Sequence, residues 1–183
     1  MPVEEKPVPE DWQDFRKDEL SLVAAFPKAP DISTRLDSEP APDGSRIPIA
    51  ITTIETYLNK TYYLVNVRSY PEGSLAKRPD LAANFGAWLK LVILRGVPIL
   101  GERLLPFDKY LMVEFLYRPL PGEIVVHRCV IIGDRLYQLL IQLPVDPKLE
   151  PEKAVENNAA QIRHFFDSFR VSIGQVAPGR SAD

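Results

Sequence analysis

Apolar positions along this chain change their period three times, and each change marks a new kind of element. Leu20, Leu22, Ala24 and Phe26 alternate with other residues, as one face of a strand does, and Pro27 and Pro30 end that run. Trp12 and Phe15 just ahead of it are expected to pin the start of the fold. Residues 32–39 are expected to pair back as an edge strand. The polar turn PAPDGSR then leads to residues 47–57, rich in Ile and Thr and therefore strand-like. Asn59-Lys60 is a compact turn into residues 61–69, which makes a β-hairpin. In that second strand Tyr63, Val65 and Val67 share one face, and Tyr62, Asn66 and Arg68 share the other.

The period then becomes helical. Residues 79–95, PDLAANFGAWLKLVILR, carry Pro79 in the first turn and Gly96 just past the end. Leu81, Phe85, Trp88, Leu89 and Val92 form a broad stripe for a core. Alternation returns in residues 99–105, 109–117, 123–132 and 135–143, with turns at 119–122 and at Gly133-Asp134. The 123–132 strand is apolar on both faces around Cys129, as suits a central strand covered on both sides. The last change comes at PEKAVENNAAQIRHFFDSFRV, residues 151–171. There Val155, Ala159, Ile162, Phe166 and Phe169 line one face of a helix, which must pack on something. Short connections imply antiparallel neighbours, because parallel pairs need long crossovers. The pattern thus predicts an α+β fold: one antiparallel sheet of about six to eight strands with helices against its faces.

Composition adds limits rather than chemistry. The chain has 183 residues, 45% hydrophobic and 26% charged, which suits a single domain with a real core. We read 1–10 as a disordered acidic lead-in, 11–173 as one domain and 174–183 as a disordered tail. The 18 prolines gather in the tails and between apolar runs, where they break structure without ending the domain. Net charge is −3, with ten acidic and five basic side chains in the first forty residues, so no concentrated basic patch for nucleic acid exists. No apolar run approaches the roughly 20 residues of a membrane span. The start, MPVEEKPVPEDW, has no apolar core of a signal peptide. As written the chain is expected in the cytoplasm; a removed signal peptide would place it in the periplasm or another extracytoplasmic space.

Three segments carry a resemblance. WQDFRKDELSLVAAFPKAP joins an aromatic lead to a short strand closing on Phe-Pro. GDRLYQLLIQLP is a Gly-Asp turn into an Arg-x-Tyr-x-Leu strand. HFFDSFRV ends the last helix. In this order and spacing, over about residues 12–172, the chain resembles the PsbP-like superfamily. That superfamily includes the extrinsic PsbP subunit of photosystem II, Ran-binding Mog proteins and uncharacterised bacterial relatives. The resemblance implies an αβα sandwich around an antiparallel sheet. It also implies a non-catalytic role, docking onto a larger partner. It transfers no specific binding residue. The stretch PILGERLLPFDKYLMVEF lacks the Gly-Pro-Gly-type turn of many bacterial members, which leaves the register of its two strands open.

Searching the residues for chemistry returns little. His127 and His164 fall on different elements without a partner at ligand spacing, and no HExxH or CxxC occurs, so no metal or other cofactor is expected. Cys129 alone cannot form an internal disulfide and reads as a small buried hydrophobe. His127 and Cys129, two apart on one strand, sit about 7 Å apart, too far for a hydrogen bond. Glu102, Asp108, Glu114 and Glu123 lie on separate strands, with nothing that selects a catalytic pair. No GxSxG elbow or phosphate-binding loop is present, and the chain is not expected to be an enzyme. Two surfaces stand out instead. On the outer face of the 79–95 helix, Ala87, Leu91 and Leu94 are more apolar than a solvated stripe needs. They suit a partner protein, a second copy, or a covering loop of the chain itself. On the 61–69 strand and the loop behind it, Tyr62, Arg68, Tyr70, Lys77 and Arg78 combine the residue types favoured at binding hot spots. The expected role is a protein-interaction or accessory module. The alternative is a carrier for an apolar small molecule or lipid, and the third is an enzyme whose site the sequence hides.

Overall fold

The computed structural model describes residues 11–40, 44–75, 86–87, 90 and 97–172. In chain order these form β1 (Gln13–Lys17), a 3-10 turn (Asp18–Leu20), β2 (Leu22–Phe26), β3 (Asp31–Pro40), β4 (Arg46–Leu58) and β5 (Thr61–Ser69). There follow β6 (Ile99–Phe107), β7 (Tyr110–Tyr117), β8 (Glu123–Ile132), β9 (Arg135–Pro144), α1 (Pro151–Asn157), α2 (Ala159–Ser168) and β10 (Arg170–Val171). The architecture is α+β and dominated by strands. Seven strands form one antiparallel sheet in the order β3-β4-β5-β9-β8-β7-β6. No described helix is long and apolar enough to cross a membrane.

The hairpins follow from their turns. Asn59 and Lys60 both take positive φ, 50° and 66°, which gives a two-residue turn the twist that β4 and β5 need. Gly133, with φ 58°, does the same between β8 and β9, and Asp108, with φ 52°, between β6 and β7. The last of these sets the register left open by the sequence: Phe107 faces Tyr110 and Arg103 faces Glu114, with a bulge between Ile99 and Gly101.

Three expectations need correction. The strands do not form a single sheet. β2 pairs with β1 on one side and β10 on the other, making a separate three-stranded sheet. With both edges of β2 taken, β3 cannot fold back on it. It pairs with β4 instead and becomes the edge of the large sheet. The C-terminal helix is also not one piece before its exit. At Asn158, φ is −118° and ψ 15°, and its side-chain Nδ2 donates to the Ala154 carbonyl at 2.8 Å. That bond replaces the one a backbone N–H would make, so the axis breaks there. α2 ends at Ser168, whose hydroxyl donates to Phe165 O and accepts the Ala25 N–H at 2.9 Å. Phe169 is extended and leads into β10.

The two faces of the large sheet are covered differently. On the first, Ile54, Tyr63, Val65, Val67, Tyr137, Leu139 and Ile141 meet Phe26, Ile162, Phe165, Phe166 and Phe169. The second carries a smaller cluster of Ile49, Ile51, Tyr70, Leu75, Val113, Phe115, Tyr117, Val125, Cys129 and Leu136. β8 is buried on both sides, as its apolar sequence requires.

Candidate functional site

Register decides which polar side chains meet. On the first face, Arg103 of β6, Glu114 of β7 and Arg128 of β8 stand in one rung. Glu114 is buried. Its two oxygens accept from Arg103 Nε at 2.5 Å and Arg128 Nε at 2.6 Å. The Arg128 guanidinium also lies over the Phe166 ring, 4.2 Å from its centre, which fixes α2 to the sheet. Beside this rung, between α1 and the β6–β8 strands, runs a groove of about 360 Å³. Leu116, Val126, Val155 and Ile162 give it apolar walls, and Glu152 and Glu156 stand on its helical side.

On the second face the polar groups are tied to each other. Asn66 Nδ2 donates to Thr53 at 3.0 Å, and Gln138 Nε2 reaches Asn66 Oδ1 at 3.3 Å. Tyr62 donates to Glu55, and burial pushes its phenol pKa up. His127 is only 2% exposed. Its Nδ1 stands 3.4 Å from the Tyr117 hydroxyl, and its Nε2 has no hydrogen-bond partner among the described residues. Burial pushes its pKa down to about 4, against a smaller opposite effect of Gln138. Burial raises the Cys129 thiol and the Tyr117 phenol. Near neutral pH all three groups are therefore uncharged, and the thiol is not a nucleophilic thiolate.

Arg68 and Tyr70, read from sequence as a candidate binding surface, turn towards Glu39 of β3. Arg68 pairs with Glu39, and Tyr70 donates to its Oε2 at 3.0 Å. Tyr70 is buried, and Arg68 keeps little exposed surface. The loop after β5 is held by Asp134, whose carboxylate accepts the Gly73 and Leu75 N–H groups at 2.7 and 3.1 Å. Of the candidate helix face, Ala87 is helical and exposed, while Leu91 and Leu94 lie outside the described residues, as do Lys77 and Arg78. Lys90 itself forms an ion pair with Glu102 of β6. The four acids considered for acid-base work do not converge. Glu102 pairs with Lys90, Asp108 sits in a turn, Glu114 is enclosed by arginines and Glu123 opens β8. Among the described residues no group of three or more His, Cys, Asp or Glu could hold a metal ion.

Sequence reading missed an exposed apolar corner on the β6–β7 hairpin. Leu104 is 63% exposed and Leu111 64%. Leu104 faces Val113 and Leu111 faces Pro106, so the two leucines are diagonal neighbours on one face. Strand alternation through ERLLPF could have located Leu104, because Leu105, one position on, packs inward against the first-face core. No protein-family model matches this chain, and no curated protein matches it as a relative.

Proposed function

We propose that this chain is a non-catalytic protein-interaction module of PsbP-like, αβα-sandwich type. In that reading the seven-stranded sheet is the middle layer. α1, α2 and the small sheet form one outer layer, and the 79–95 helix read from sequence forms the other. The helical Gly86 and Ala87 and the Lys90–Glu102 pair support that placement. The observation that carries the proposal is the Leu104–Leu111 corner: two largely exposed leucines, adjacent on a sheet face and flanked by exposed Pro106. The buried titratable side chains support it too, being neutral or spent on one another. A partner protein would cover this corner with an apolar patch of its own. Replacing both residues, Leu104→Asp with Leu111→Asp, is expected to abolish cross-linked capture of that partner from native extract. Stability should change by no more than about 0.5 kcal/mol, as for other surface sites. Retention of the same partners by the double variant would sink the reading.

The groove beside Glu114 favours a second reading, in which the module carries an apolar small molecule. Its volume falls within the range of roughly 300–1,000 Å³ typical of ligand pockets. Native mass spectrometry of the purified protein distinguishes the two. A bound mass that Val126→Asp removes favours the carrier, and a bare chain rules it out.

A further inference from the structure

The large sheet has two edges, and they differ in how they are protected. β6 carries Pro106, a bulge at Ile99/Gly101 and an arginine, Arg103, all devices that discourage a further strand. β3 also carries charges, but it has no bulge and no proline before its last residue, Pro40. Its register with β4 runs unbroken through ten pairs, and residues 31–37 are all exposed. Leu36 is 87% exposed and Ile32 49%.

Three contacts show which backbone groups of β3 point away from the sheet. Pro48, opposite Ser38, has no N–H to give it. The Ser38 N–H is taken by the carboxylate of Asp37 at 2.8 Å, and the Ser38 carbonyl by Arg46 at 2.6 Å. Ser38 therefore faces outward, and by alternation so do the N–H and C=O groups of Leu36, Thr34 and Ile32.

We propose that β3 pairs antiparallel with β3 of a second copy, about a two-fold axis at Leu36. In this register Leu36 meets Leu36 and exchanges both backbone bonds with it. Thr34 meets Ser38, and Arg35 meets Asp37 on both sides of the axis. Arg35 and Asp37 then occupy the closely spaced, non-hydrogen-bonded positions, where opposite charges attract most. Asp37 releases the Ser38 N–H to the Thr34 carbonyl and turns to Arg35. The Ser38 carbonyl has a second lone pair for the Thr34 N–H while Arg46 stays in place. Charge selects this register. Sliding the copy by two residues in one direction sets Arg35 on Arg35, and in the other sets Asp37 on Asp37. A symmetric, self-complementary contact of this kind closes as a dimer. It uses a different edge from the Leu104–Leu111 corner and does not depend on the function proposed above.

Sedimentation equilibrium on the full chain, up to hundreds of micromolar, tests it. Wild type should show a monomer–dimer equilibrium. Arg35→Asp should weaken dimerisation about tenfold or more, since two attractions become two repulsions. Asp37→Arg should do the same, and the double exchange, Arg35→Asp with Asp37→Arg, should restore it. Leu104→Asp with Leu111→Asp should leave it unchanged. All variants lie on an exposed edge, and matched thermal unfolding checks that they fold. A wild type that stays monomeric, single exchanges that still dimerise, or a double exchange that fails to recover would each overturn the proposal.

Discussion

The two faces of the seven-stranded sheet are built from the same alternating strands, yet they solve different problems. The first face is closed by aromatic side chains. Phe165 sits at the centre, with ring centroids 5.8 Å from Phe26, 5.4 Å from Tyr63 and 5.3 Å from Phe166. Its polar groups are anchored: the Arg103–Glu114–Arg128 rung is paired within itself, and the Tyr137 hydroxyl donates to Leu20 O at 2.9 Å. The second face has a smaller apolar cluster and then rungs of polar side chains: Tyr62 with Glu55, Asn66 with Thr53 and Gln138. Hydrophobic burial drives folding through the first face, while hydrogen bonds of small net worth order much of the second. The first face should therefore carry most of the stability.

The sharpest way to break that comparison is truncation on each face. Phe165→Ala removes a fully buried ring with four aromatic neighbours and should cost about 3–5 kcal/mol. Leu136→Ala on the second face removes an equally buried side chain. It lies opposite Arg68, whose flexible stem can settle into the space, so the loss should be nearer about 2 kcal/mol. Urea unfolding of both variants measures the difference. Equal losses would mean that the two faces share the load.

Much of this fold is legible in the sequence, because strand alternation and turn chemistry are local. The 61–69 strand is found where it was read, with Tyr63, Val65 and Val67 inward, and β8 and β9 come within a residue of their expected bounds. What failed was non-local or broke the period. Phe165 falls at the edge of the stripe drawn through Val155, Ala159, Ile162 and Phe166, and it is fully buried because Trp12, Phe26 and Tyr63, all distant in sequence, close over that edge. β10 is two residues long and exists only because β2 has a free edge beside it. Arg68 and Tyr70 sit on a face whose alternation reads as polar and outward. Their partner, Glu39, is 29 and 31 residues away, a distance no periodicity spans. The Arg103–Glu114–Arg128 rung is hidden for the same reason, since it needs the register of three strands at once.

His127 gives the smaller and more selective test, because its titration belongs to the second face. Its folded pKa, about 4, lies below the ordinary 6.5, so the unfolded chain binds the proton more readily. Between those values the unfolded state holds more protons than the native state, and stability must fall as pH falls. The full window is worth about 3 kcal/mol. Tyr117 and Cys129, its neighbours on this face, are shifted upward by burial and stay neutral throughout, so neither contributes in acid. Ordinary carboxylates also titrate near the lower end, which makes the difference from a variant the proper measure. His127→Gln keeps polar groups at the position and removes the ionisation. Urea midpoints followed from pH 6.5 to 4 should fall steeply for wild type and more gently for the variant, with the gap closing as the proton binds. Parallel curves would mean that the imidazole finds a partner or water in the folded state, and that its unpartnered Nε2 is not dry.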